Sequence, residues 1–441
     1  MQSSDFFAEE KPSRILMRLA PPVMLAQLIQ ALYNIVDSLF VGRYSETGLT
    51  ALSIIYPVQL LMIALAVGTG VGINTLMAAK MGANKPREAE EVAGSATPLA
   101  VVIWAVFAAA GYFLMPAYAR MSTQSEAVIR EVILYGRTVC VFSFGLTLES
   151  VWTKVLQADG DMKTPMIAQI VGAAVNIALD PLFIFGLLGF PKLGILGAAV
   201  ATVIGQIAAA CMVARRGFRK PPKREVSLRH VGRIYQLGIP NILMQSAYTF
   251  YILGLNLILT GFSDQAVTAL GLYYKWQTFF FIPLGAMQTC IVPVISYNYA
   301  ARRIDRCRAT LRAAILFGWA LMAIGTLCFV TIPEPMLRVF TKDELVVAIG
   351  RIGFLFIGSS FIPMVTSLIF PVFFQAVGMS LRSAALTVLR TVILFVPLGY
   401  AFSLMGLNYF WLTFPLTETV TSLAGLMLYR RFLHCGHVDM R

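Results

Sequence analysis

From Leu16 onward the chain is a succession of apolar stretches parted by short polar breaks. Each stretch is about 20 residues long, the length an α-helix needs to cross the hydrocarbon core of a bilayer. No water is available there to satisfy backbone N–H and C=O groups, so each stretch must bond internally and is expected as a helix. Composition agrees, since the 441 residues are 58% hydrophobic and 13% charged, with a mean hydropathy of +0.75. Soluble globular domains do not reach such values.

Reading the apolar runs against turn signals gives helices near 16–42, 48–76, 91–117, 132–158, 165–187 and 194–214. Six more follow near 234–260, 267–298, 310–332, 347–377, 384–405 and 409–432. The expected architecture is an all-α polytopic membrane protein, with twelve transmembrane helices in two pseudo-symmetric six-helix bundles. The first bundle is expected over residues 1–215 and the second over 234–441. A basic cytoplasmic linker over 216–233, with Pro221 and Pro222, joins them as a solvated tether.

The formal charge of +13 would suggest nucleic acid in a soluble protein. Here the Lys and Arg cluster between apolar stretches, and with both termini in the cytoplasm most of them fall on the inner side, as the positive-inside effect requires. Nucleic acid is not an expected partner; the lipid bilayer is. Lys11, Arg14 and Arg18 lead into a long helix rather than a short apolar run with a small-residue cleavage site, so no cleaved signal peptide is expected. The chain is expected as a multi-pass monomer of the cytoplasmic (inner) membrane. Cysteines occur singly, several inside apolar stretches, and imply no disulfide framework.

Sliding the sequence against itself by 218 residues sets Leu19, Pro22, Gln27 and Tyr33 on Leu237, Pro240, Gln245 and Tyr251. The same shift sets Ser45–Leu52 on Ser263–Leu270, Gln59 on Gln277 and Gln157–Gly160 on Gln375–Gly378. One offset held across four helices indicates duplication of a six-helix unit. Both copies then enter the membrane from the same side, which suits two bundles that open a central cleft alternately to each face.

Ionisable groups inside the membrane are costly and are functional candidates by default. In the first helix Gln27, Gln30, Asn34 and Asp37 recur at spacings of three, four and three, which puts them on one helical face beside Tyr33. The fifth helix is expected to begin with Thr164 as N-cap and Pro165 as its first residue. It then carries Asn176 and Asp180 one turn apart, with Pro181 freeing a backbone carbonyl a turn earlier. Asp37, Asn176 and Asp180 offer hard oxygen ligands for Na+, or two carboxylates in a low-dielectric cavity that accept and release H+. Their repeat mates for the two acids are Leu255 and Leu398, so the ion site is expected in the first half alone.

Weaker candidates are Gln245, Glu149, which Lys154 could neutralise, and Glu418 among Thr417, Thr419 and Thr421. Pro22 and Pro240 are expected as helix kinks. Phe279–Ile282, Tyr248, Tyr251 and Met287 suit either an adaptable apolar cavity or ordinary packing. The string GTGVG at Gly68–Gly72 lacks a preceding strand and a Lys-Ser/Thr ending, so it is read as close helix packing rather than a phosphate loop. His434, Cys435 and His437 lack a second ligand pair, and no structural metal is expected.

NIVDSLFVGR at Asn34–Arg43 after Pro22, GDMKTP at Gly160–Pro165 and NIALDPLFIFG at Asn176–Gly186 resemble the multidrug and toxic compound extrusion (MATE) family over essentially the whole chain. The resemblance implies export of small organic, amphipathic cations against an inward flow of H+ or Na+, without a cofactor or enzyme activity. It also implies cation-site roles for Asp37, Asn176 and Asp180. A branch of the family has a further acid in the seventh helix, and Leu237–Thr260 has none. The competing expectations are a flippase for lipid-linked oligosaccharides or cell-wall precursors, a membrane-embedded enzyme, and a channel. The few His and the asymmetric acids speak against the last two.

Overall fold

The structure, a computed structural model, describes residues 3–435 and contains helices and no strand among them. In the first half the spans are α1 (Pro12–Tyr44), α2 (Glu46–Gly82), α3 (Pro86–Ser122), α4 (Glu126–Val141 with Phe144–Ala158), α5 (Lys163–Phe185) and α6 (Ile195–Gly217). The second half has α7 (Arg224–Thr260), α8 (Asp264–Phe280 with Ile282–Ala300), α9 (Ile304–Thr331), α10 (Glu344–Ser359 with Phe361–Ala376), α11 (Ser380–Ser403) and α12 (Thr413–Cys435). Among the described residues eight helices are long and apolar enough to cross a membrane, and up to eleven spans result if each of the three bent pairs counts as one. The twelfth, α12, is less apolar because it carries Glu418 among threonines. A short helix, Ser3–Glu9, precedes α1.

The duplication is written into the backbone as well as the side chains. Ser45 caps α2 by accepting from Gly48 N at 3.1 Å, and its repeat mate Ser263 caps α8 by accepting from Ala266 N at 3.2 Å. Asn84 and Arg302, again 218 apart, both turn the chain with positive φ (58° and 59°). Gly160 and Gly378 do the same at 79° and 81°, where the missing Cβ removes the steric penalty. The breaks in α4 and α10 also match, with bends of 44° and 53°.

Two compact units result. One comprises Pro21–Ile242 and the other Asp5–Ala20 with the chain from Leu243 onward. The change of unit falls beside Pro21 and Pro22 in α1 and two residues past Pro240 in α7, within about one helical turn of matched places in the repeat. All three prolines lie inside continuous helices, where a proline cannot donate a ladder hydrogen bond.

The expectation of a free linker over 216–233 needs correction. Helix α6 runs to Gly217 and α7 begins at Arg224, leaving residues 218–223 between them. That segment is fastened to the first unit. Arg219 reaches Asp159 at 3.0 Å and Glu90 at 3.3 Å, and Phe218 meets Trp152 edge to face. Gly94 lies against the Lys220 carbonyl so closely that a side chain there would collide with it. Burial pushes the Asp159 carboxyl up to about 6, with the Arg219 guanidinium opposing.

Two apolar clusters organise the first unit. One gathers Ile73, Val92, Ala96, Trp152, Val155, Ile234 and Leu237; the other gathers Val41, Ile55, Phe107, Val132, Tyr135 and Ile184. Gly68, Gly70 and Gly72 serve packing, as the sequence suggested. Side chains at Gly68 and Gly72 would strike Ile242 and the Ile234 carbonyl of α7, and one at Gly70 would strike Lys154. In the second unit the core is aromatic, with Phe329 stacked on Phe354 at 4.7 Å and meeting Tyr273, Phe280 and Phe361. Tyr251 and Met287 are buried, whereas Tyr248 and Phe279 are partly open.

Candidate functional site

The fifth span starts two residues earlier than expected, at Lys163, and takes a different cap. Asp161, not Thr164, supplies the capping oxygens, accepting from Lys163 N at 3.1 Å, Thr164 N at 2.9 Å and Thr164 Oγ1 at 2.6 Å. A carboxylate beats a hydroxyl here because it accepts several exposed N–H groups at the positive end of the helix dipole. From that start the helix turns Asn176 and Asp180 inward, at 2% and 0% exposure, among Ile, Val and Ala side chains.

Asn176 Nδ2 lies 3.5 Å from both Asp180 Oδ1 and the Thr202 hydroxyl of α6. Gly205 lets α6 approach at this level, since a side chain there would press on the Asn176 Cβ and the Gly172 carbonyl. Asp37 lies within electrostatic reach of Asp180, and Tyr33 within reach of Asp37, Glu149 and Asp180. Tyr135 of α4 closes the cluster, accepting from Gln59 Nε2 at 3.3 Å and bonding the Thr202 side chain.

Three buried oxygens in this group have no hydrogen-bond partner: Asp37 Oδ1, Asn176 Oδ1 and Asp180 Oδ2. Unpaired buried acceptors are expensive, and three in one cluster form a ready set of ligands for a cation or a proton.

The polar face of α1 is divided. Tyr33 and Asp37 join the cluster, Gln27 and Gln30 are half-buried farther back along the helix, and Asn34 is exposed. Glu149 accepts from its helical neighbour Thr153 at 2.9 Å, while Lys154 donates to Gln157 at 2.9 Å. In the second unit Gln245 is half-buried, and one turn on the Tyr248 hydroxyl donates to Gln277. Glu418 is fully buried and paired with Arg390 of α11. His437 lies outside the described residues.

Sequence reasoning missed Gln59, Tyr135, Thr202 and Arg390. Gln59 carried a signal, its match with Gln277 in the repeat. Tyr135 and Thr202 sit in helices whose pattern shows only packing. Arg390 looks like an isolated charge until α12 brings Glu418 against it.

Comparison with known proteins agrees with this architecture. The MatE family model matches twice, at residues 22–182 and 240–401, the two matches starting 218 residues apart. The chain is 23% identical to a FAD transporter of Shewanella oneidensis over 432 residues, covering 95% of this chain and 94% of that one. It is likewise 23% identical to the multidrug export protein MepA of Staphylococcus aureus over 438 residues, covering 96% and 94%. The solved outward-facing structure of a multidrug resistance MATE family transporter of the MOP superfamily superposes with a TM-score of 0.90 at 21% identity, over 99% of this chain and 98% of that one. That likeness establishes the fold, and the doubled family match, set on both halves of the duplication, establishes that this membrane-spanning chain belongs to the MatE family.

Proposed function

We propose that the chain is a secondary active efflux antiporter, exporting small organic cations in exchange for H+ or Na+ by alternating access. The observation that carries this reading is the set of unpartnered buried oxygens on Asp37, Asn176 and Asp180. An aqueous ion arriving there would find the acceptors that the protein leaves free. Two carboxylates in mutual electrostatic reach hold one added positive charge more readily than none, so the cluster gains by loading and loses by emptying.

Loading supplies the differential free energy a transport cycle needs, because a ligand shifts a conformational equilibrium only by its difference in affinity between states. Pro22 in α1 gives the helix that bears Asp37 a place to bend between those states. The relatives' names include both a multidrug export protein and a FAD transporter, so movement of a solute across the membrane is what they share. The distribution of basic residues supports an inner-membrane location with both termini in the cytoplasm.

The test is ethidium efflux from energised vesicles under a proton gradient or a sodium gradient imposed separately. Efflux driven by one gradient and lost in Asp37→Asn supports the antiporter and identifies its ion. No efflux under either gradient overturns the reading and favours the flippase alternative.

A further inference from the structure

The second unit contains a buried charge cluster that the ion site does not use. Arg390, 7% exposed, donates from Nε to both carboxylate oxygens of Glu418 at 3.1 Å and from a terminal nitrogen to Oε1 at 2.5 Å. Glu418 itself is 0% exposed and also accepts from Ser367 of α10. The guanidinium lies 5.0 Å from the Phe395 ring centre and 5.8 Å from that of Tyr251, and the two rings stack at 4.6 Å. On either side of Glu418 the buried hydroxyls of Thr417 and Thr421 have no partner.

Folding alone does not account for these residues. A buried ion pair is often no more stabilising than apolar side chains of the same volume, and charges inside a membrane bundle mark function by default. Arg390 also sits in a π-helical turn, Leu389–Phe395, just before Pro397, whose missing N–H leaves the ladder open there. Such widened turns recur at functional sites.

The repeat adds a second, independent observation. Tyr251 is the mate of Tyr33, and Ser367 is the mate of Glu149, two residues grouped around the acids of the first unit. Helices α11 and α12 are the mates of α5 and α6, which carry Asn176, Asp180 and Thr202. The same region of the scaffold thus holds a guanidinium where the first unit holds carboxylates.

We infer that Arg390, with the stacked rings of Tyr251 and Phe395, is a recognition site for the acidic group, carboxylate or phosphate, of an aromatic solute. Glu418 is its resting counter-ion. This adds an acidic solute class to the cations proposed above and rests on the export part of that reading alone. In the conformation described, Glu418 occupies the guanidinium and the site is shut. An incoming acidic group displaces the Glu418 carboxylate from the guanidinium and takes over the Arg390 hydrogen bonds. Thr417 and Thr421 offer unpartnered hydroxyls to bond the displaced Glu418 side chain or the anion.

The test compares two fluorescent flavins on the purified full-length protein in lipid nanodiscs at pH 6. Riboflavin 5′-phosphate and riboflavin share one ring system and differ by the phosphate, so the ratio of their affinities by fluorescence anisotropy reads the anion contact alone. The parent is expected to favour the phosphate at least tenfold. The double variant R390Q/E418Q, which keeps the site neutral and nearly the same size, is expected to bind both flavins alike, while R390K keeps part of the preference. A monodisperse elution profile and a melting temperature close to the parent's show that the double variant is folded. Equal binding of the two flavins by the parent, binding of neither, or a preference that persists in the double variant overturns the proposal. Ethidium efflux is read separately: a parent that prefers the phosphate without exporting ethidium contradicts the cation-export reading and leaves this one standing.

Discussion

Asn176 directs its side-chain nitrogen at Asp180 one helical turn away, at 3.5 Å, and leaves the second carboxylate oxygen of that aspartate unpartnered in the interior of the first unit. The pair belongs to the cation site proposed above. A structural acid of this burial would be expected to have both oxygens satisfied, and this one does not.

Removing the charge should therefore abolish exchange without harming the fold. Asp180→Asn and Asp37→Asn are each expected to lower gradient-driven efflux at least tenfold while leaving expression and thermal stability unchanged or raised. A buried carboxylate short of partners costs about 2.5–3.5 kcal/mol on insertion scales, and the amide relieves part of that. Efflux in vesicles, together with melting in detergent, checks both halves of the prediction.

Thr202 offers an oxygen to Asn176 from the neighbouring helix, so its hydroxyl matters more than its volume. Thr202→Val is expected to weaken ion binding several-fold and to cost about 1 kcal/mol of stability through the lost hydrogen bond. Thr202→Ser should keep both. Isothermal titration with the coupling ion distinguishes the two variants, and equal binding by both would remove Thr202 from the site.

Packing of α2 on α7 depends on glycine at two places. Gly72→Val should give little folded protein, because a side chain at that position meets the Ile234 carbonyl, which cannot move without the helix. Gly232→Ala is the control, since nothing lies within 4 Å of the added methyl, and it is expected to be neutral or to gain up to about 1 kcal/mol of helix propensity. Fluorescence-detected gel filtration of membrane extracts reads both.

Asp159, at the turn between α4 and α5 where Arg219 holds the segment 218–223, gives a pH dependence whose sign is fixed. Burial raises its folded-state pKa to about 6, above the ordinary aspartate value, so the folded protein binds the proton more tightly than the unfolded chain does. The stabilising contribution of protonation is then present near pH 4 and is lost as pH rises through about 6. Relative to Asp159→Asn, which cannot ionise, the parent should melt at a lower temperature at pH 7.5 than at pH 5. A difference in melting temperature that stays constant over this range would show that Asp159 ionises normally.

Much of the architecture follows from local chemistry alone. Apolar runs of spanning length force helices, because hydrocarbon offers the backbone no other partner. The shift of 218 residues was legible because the duplicated halves keep their caps and turns: Ser45 and Ser263, and Gly160 and Gly378, do the same backbone work in both copies. Asp37, Asn176 and Asp180 stood out because acids and amides are rare in such helices. What they touch depends on rotations and crossings of helices far apart in sequence. Tyr135, Gln59 and Thr202 are unremarkable each in its own helix, and only packing carries them to one cluster. The strapping of residues 218–223, which read as a solvated tether, depends on Asp159, Glu90 and Gly94 from two other turns. So does the meaning of Glu418. Its sequence neighbours are threonines, whereas its charge is balanced by Arg390, brought to it across the bundle from α11. Periodicity and composition act along the chain and set the helices, while the pairing of charges inside a membrane acts across it and is decided only when the helices have packed.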